Sequence, residues 1–392
     1  MRLETDGRVE GQHHHLDLLE SRTQTDCRQY VLMKFTRFAI LLSLFWVPAS
    51  FAQPLNFFGA SIPVKAQTST ERSRAAKEGF KQVLVRVSGS RDVVDSPEIQ
   101  SLLSSASQFM EQYYYQLEEL EDGDKQERMT MSFSPTQVRR VLSEAGLPVW
   151  PTNRPKALLW LVEDSVDNGK QFVTSFDSPV ARGLEAAANE RGIPLSFPLM
   201  DLDDQLALPV DQVWGMDEKA ILEASERYKG DTVLVGRFTQ TSKGQWWGTW
   251  MYFHRGQNRV YDLRTDEGGA QGYQAVEPLA DYLASLYSVT RTADGGSSLY
   301  VRVTDLESFG DYRGVLDYLD KLTVVGSVSK VSYTNGSLLL GLKLVGDVDQ
   351  LHSSFSLDRK LSLVKKQNPD AMPWLQAPEG TLNSPLIFRW KK

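Results

Sequence analysis

From Ser69 onward the apolar positions alternate between helical and strand spacing, and each switch marks an element. Ala76, Phe80, Val83, Leu84 and Val87 recur at helical spacing. Ser69 and Thr70 stand where an N-cap is needed, Glu71 falls in the first turn, and Ser88-Gly89-Ser90 ends the helix. Pro97 opens a short helix over 98–106. Phe109 to Glu119, which contains Tyr113, Tyr114 and Tyr115, reads as a strand. After the turn Glu121-Asp122-Gly123-Asp124, Met129, Met131 and Phe133 alternate on a returning strand. Ser134-Pro135 starts a helix through Glu144, and Pro148, Pro151 and Pro155 form a stiff linker.

The continuous apolar run Ala157–Val162 predicts a strand buried on both faces. A helix from Ser178-Pro179 to Glu190, a strand over Leu195–Met200, a helix over Met216–Tyr228 and a strand over Thr232–Thr239 follow. Trp246–Phe253 and Asn258–Leu263 extend this as an antiparallel meander, and Val276–Tyr287 is an amphipathic helix. Asp294-Gly295-Gly296-Ser297-Ser298 is a linker by composition. Beyond it, Leu299–Val303 is a strand, and Phe309, Tyr312, Val315, Leu316, Leu319 and Leu322 form a helical face. Asn335-Gly336 joins two strands in a hairpin. A helix marked by Val348, Leu351 and Phe355 and capped by Asp347 precedes a strand over Leu361–Val364. That order, βαββαβ, is the ferredoxin-like arrangement. The fold class expected is therefore α/β (α+β) in three modules, 53–151, 152–293 and 297–366. A Pro-rich tail, 367–392, is expected to run extended, with Leu386–Trp390 able to pair as an edge strand.

Residues 33–52 carry the order of a secretory signal peptide: Lys34 and Arg37, the short apolar run Phe38–Val47, the break at Pro48, then Ser50 and Ala52. The apolar run is shorter than the roughly 20 residues that span a bilayer. Cleavage after Ala52 and a start at Met33 are the expectation, with 1–32 a spurious extension that includes His13, His14 and His15. The mature chain then holds no Cys, so no lipid anchor, and is expected in the periplasm without a stable membrane span.

Three stretches, Ser73–Ile99, Pro148–Asp164 and Gly230–Phe238 with the Trp-rich strand after it, resemble the proteobacterial domain of unknown function DUF2066 family. The resemblance implies an exported protein and supplies no catalytic residues. The middle module is also similar in outline to α/β modules of periplasmic assembly factors, an analogy of fold alone.

Composition narrows the chemistry. A net charge of -7 over 392 residues argues against nucleic acid or an anionic membrane as the main partner. One Cys and five His argue against a disulfide framework and a thiolate metal site. His254 and His352 are the only histidines of the mature chain, and no G-x-S-x-G elbow accompanies them. Ser327-Val328-Ser329-Lys330 matches S-x-x-K but lies on a strand without its companion motifs. Gly268-Gly269-Ala270-Gln271-Gly272 precedes a helix and reads as a loop whose amides face an anion or simply flex. Asp201, Asp203 and Asp204 follow one strand, and Glu163 and Asp164 end another. Carboxylates that converge at neighbouring strand ends would suit acid–base or metal-assisted hydrolysis. Trp246, Trp250 and Tyr252 share one face of their strand and are the candidate protein or glycan contact. Arg72, Arg74, Lys77, Lys81, Arg86 and Arg91 read as including a solvated basic face.

No catalytic residue, metal ligand or cofactor is assigned. The expectation is a non-enzymatic accessory or scaffold factor of the cell envelope with a protein partner. The alternatives are a periplasmic hydrolase using the carboxylates, or a small-ligand or glycan binder between the first two modules.

Overall fold

The structure is a computed structural model that describes residues 56–119, 123–230, 232–291, 297–364 and 378–391. The expected signal peptide and upstream extension, most of the Gly-rich linker and the first part of the Pro-rich tail lie outside the described residues. Among the described residues, ten α-helices and three sheets with mixed strand directions make an α+β fold.

The first sheet is antiparallel, in the order β1 (Gly59–Pro63), β3 (Lys125–Phe133), β2 (Met110–Glu119). Helix α1 (Ser69–Ser88) packs its Phe80, Val83, Leu84 and Val87 on Met129, Met131 and Phe133. Thr68 caps it, one residue before the expected cap, and Gly89 ends it at φ 78°. Helices α2 (Pro97–Leu102) and α3 (Pro135–Glu144) complete this core.

The second sheet has the order β5 (Gly169–Val173), β4 (Ala157–Ser165), β7 (Thr232–Gln240), β8 (Trp246–His254), β9 (Gln257–Thr265). Its β4–β7 pair is parallel, and β6 (Leu195–Ser196) pairs only with the start of β4. Both faces are covered. Helices α4 (Pro179–Arg191) and α8 (Gly268–Tyr287) pack on one. Short helices α5 (Leu202–Ala207), α6 (Val210–Trp214) and α7 (Glu218–Ser225) lie over the other. The alternation that pattern reading misses is β5, whose Gly169-Lys170-Gln171 is polar because it is an exposed edge.

The glycines at 268–272 are part of α8, not a loop before it. A Cβ on Gly272 would run into the Val180 carbonyl, and one on Gly183 into that of Gly269. These glycines let α4 and α8 meet backbone to backbone, which excludes the anion-loop reading.

The third sheet has the order β11 (Val325–Thr334), β12 (Ser337–Leu344), β10 (Ser298–Thr304), β14 (Leu386–Trp390), β13 (Leu361–Leu363). Helices α9 (Phe309–Asp320) and α10 (Val348–Asp358) cover one face, each opened by a capping box. Asn335 and Gly336, at φ 48° and 69°, make the expected hairpin turn. Strand β14 is interior, not an edge: it runs parallel to β10 and antiparallel to β13. Its alternation explains the position, since Leu386 and Phe388 enter the core while Arg389 faces out.

Three buried arginines join the first core to the second. Arg154 donates from Nε to Pro151 O (3.0 Å), from Nη1 to Arg191 O (2.8 Å) and Gly192 O (3.1 Å), and from Nη2 to Arg86 O (2.6 Å). Its guanidinium lies 3.9 Å from the centre of the Trp150 ring. Arg86 crosses from α1 to Asn189 O (2.7 Å) while holding Gly59 O (2.7 Å). Arg191 crosses the other way to Gly89 O (3.0 Å), and bonds Asp281 (2.6 Å) and Glu277. Arg91 reaches Glu190 (2.6 Å) and Glu277 (2.6 Å) on the second core. Arg86 and Arg91 thus leave the solvated basic face expected of them. Burial pushes the Arg154 guanidinium down, as do the nearby Arg86 and Arg191 charges.

Two outcomes follow. Arg154→Ala leaves several backbone carbonyls without donors and should lower unfolding stability by about 3–5 kcal/mol, read from urea denaturation. Arg154→Lys, with one short set of donors, should recover less than half of that. Gly272→Ala should cost about 3 kcal/mol or prevent folding, because the contact is with backbone that cannot rotate away; a change below about 1 kcal/mol would contradict the close approach of α4 and α8.

Candidate functional site

The aromatic face expected to make contacts is buried. Trp246, Trp250 and Tyr252 point at α4 and α8 and belong to the core. Trp250 stacks on Phe238 with ring centres 5.9 Å apart and fills the space left by Gly236. They face inward because the two bulky rows of β8 have a helical layer over each side. Trp247 is the exposed aromatic of the strand, stacked under Arg264. His254 is also buried, between Thr232 Oγ1 (2.8 Å) and Tyr287 OH (2.9 Å), while His352 lies beside Phe388.

The strand-end carboxylates do not converge. Glu163 and Asp164 sit opposite Phe238 and Thr239, at the far end of the β4–β7 ladder. Asp201 and Asp204 bond Arg227 and Tyr228, which precede the start of β7 at the other end. Burial pushes the Glu163 carboxyl up. Among the described residues no group of three His, Cys, Asp or Glu is placed to hold a metal ion. A cleft of about 600 Å³ does lie where the cores meet, lined by Ser88, Ser90, Arg91, Arg191, Glu277 and Asp281. It is polar, and its charged groups are engaged with one another.

Asp201 and Asp204 instead anchor α5. Asp201 caps the helix by accepting from Asp204 N (3.0 Å). Arg227 donates from Nη1 and Nη2 to the two oxygens of Asp201, both at 2.8 Å, and from Nη1 to Asp204 Oδ1 at 2.8 Å. Asp204 Oδ2 also accepts from Met200 N (2.8 Å) and from the Tyr228 hydroxyl. The guanidinium of Arg227, and next the Asp204 amide, pull the Asp201 carboxyl down to about 2. Burial, with the Asp204 carboxylate beside it, pushes the Tyr228 phenol up.

This anchoring inverts the helix. Asp204 is 1% exposed and is the one buried residue of α5. At 100° per residue, Leu202 and Leu206 lie on the face opposite Asp204. They are 69% and 72% exposed, and Leu199, just before the helix, is 74% exposed. Burying a leucine contributes about 1.5–3 kcal/mol. The fold forgoes that twice on a helix of six residues, against a usual total stability of about 5–15 kcal/mol. Single exposed leucines need no explanation, but three within eight positions, two of them on the helix face opposite a buried carboxylate, form an exposed apolar patch. Sequence reading singled out the carboxylates and passed over these leucines. The signal was present: Leu202 and Leu206 are four apart, with Asp204 midway on the opposite side. A second exposed apolar set, Tyr113, Tyr114 and Leu117, lies on the edge strand β2.

A family model for a domain of unknown function (DUF8605) matches residues 52–151. It is a different family from the one the sequence resembles, and that resemblance is withdrawn. Only the first of the three resembling stretches falls wholly in the matched region; the other two are mainly a linker and buried strands, whose apolar runs recur in unrelated sheets. No curated protein matches the chain.

Asp201 has its proton affinity depressed in the folded state, so its contribution to stability is present above its unfolded value of about 3.9 and lost as pH falls toward 2. An NMR titration should place its midpoint near 2, and Arg227→Met should return it toward 3.9. An unmoved midpoint in that variant would mean that Arg227 does not set it.

Proposed function

We propose that this protein is an exported, non-enzymatic accessory or scaffold factor of the cell envelope that works through protein contacts. The observation that carries the reading is the outward leucine face of α5, held in place by a buried Asp204. The arginine junction supports it, because it fixes the first core on the second and so presents surfaces in a set relation. The hydrolase alternative lacks support, since its two carboxylate groups stand at opposite ends of one strand pair. The ligand alternative rests on the junction cleft alone, whose charged groups already have partners. The signal-peptide order of residues 33–52 supports export.

The test is photocrosslinking in cells expressing the chain from Met33. A photoreactive residue at Leu206 should give a discrete adduct with one envelope protein, and Leu202→Asp should abolish it. The same residue at Val166, exposed on the turn after β4, should give none. Absence of an adduct from position 206 would remove this reading.

A further inference from the structure

The leucine face sits in a strongly acidic segment. Between Asp201 and Arg227 the chain carries eight carboxylates against Lys219 and Arg227. Asp203, Asp211, Asp217, Glu218, Glu223 and Glu226 are all exposed. Helix α7 packs against α5, and its Leu222 is exposed as well. Two short helices in contact thus each expose a leucine side chain.

We propose that this surface docks a basic amphipathic helix of another protein, its leucine-type residues on Leu202 and Leu206 and its Lys and Arg residues on the exposed carboxylates of this segment, Asp203 on the same helix first among them. The inference rests on the reading above that α5 is a contact surface, and adds the chemistry of the partner. Charge decides among the possible occupants. A second copy of the chain would bring the same acidic segment against itself, and like charges so juxtaposed oppose association. An anionic bilayer is repelled for the same reason. A basic helix meets both needs at once: it covers the leucines and neutralises the rim. The association should be steered by charge and weaken with salt.

The probe is a fluorescein-labelled peptide of about 18 residues, built from leucine and lysine in helical register, read by anisotropy against the full chain. Its counterpart carries glutamate for every lysine. The lysine peptide should bind, with affinity falling about tenfold or more between about 50 and about 300 mM salt, and the glutamate peptide should not. Leu202→Asp with Leu206→Asp should weaken binding about tenfold or more. Leu206→Gln should weaken it less, and Val166→Asp should leave it unchanged. Thermal melts of all variants should coincide, since these side chains are exposed.

Equal binding of the two peptides, no binding of either, or binding unmoved by the double substitution would overturn the proposal. So would dimerisation, or co-flotation with phosphatidylglycerol vesicles, that Leu206→Gln abolishes. If crosslinks from position 206 form in cells while the lysine peptide fails, the contact surface stands and the partner chemistry falls. If the crosslinks also fail, the reading beneath it falls too.

Discussion

Guanidinium groups facing backbone carbonyls, flanked by the ion pairs of Arg91 with Glu190 and Glu277, are the constraint on which the arrangement of the first two cores depends. Arg154 directs its donors to carbonyls on both sides of the junction, and Arg86 and Arg191 cross it in opposite directions. A planar fork suits this task, because each nitrogen meets a carbonyl at a different angle. Carbonyl acceptors have no protonation step near neutral pH, so the acceptors of Arg86 and Arg154 do not titrate as carboxylates would. The cost is a charge held out of water, compensated by several hydrogen bonds and by the Trp150 ring. Aliphatic contacts alone would hold the cores together but would leave their relative rotation loosely specified.

The same substitution of roles appears on α5. Carboxylates that look like candidate ligands hold a helix in place, and leucines that look like core face water. At both places buried polar groups set the orientation of an element, and on α5 they leave apolar side chains exposed.

Pattern reading succeeds where one face of an element meets a single layer. Phe80, Val83, Leu84 and Val87 are buried as their spacing implies, and the Asn335-Gly336 hairpin forms. It fails where two layers compete for one strand or where polarity is inverted. Trp246, Trp250 and Tyr252 could be assigned to one face of β8 but not to a covered one, because covering depends on α4 and α8 from distant parts of the chain. Arg86 and Arg154 are indistinguishable from surface cations by spacing, and only their acceptors reveal them. Leu202 and Leu206 carried a legible spacing, yet the decision about which side faces out belongs to Arg227, more than twenty positions later.

The place of β14 sets an order of events. Expected βαββαβ elements are all present, yet β10 and β13 do not touch, because β14 lies between them. The hairpin of β11 and β12 can pair with β10 as a local unit, but β13 has no neighbour until the segment at 386–390 arrives. The last core therefore closes like a clasp whose pin comes from a segment more than twenty residues beyond β13. Loss of residues 386–390 would take a neighbour from two strands at once, since β10 and β13 each pair with that one segment.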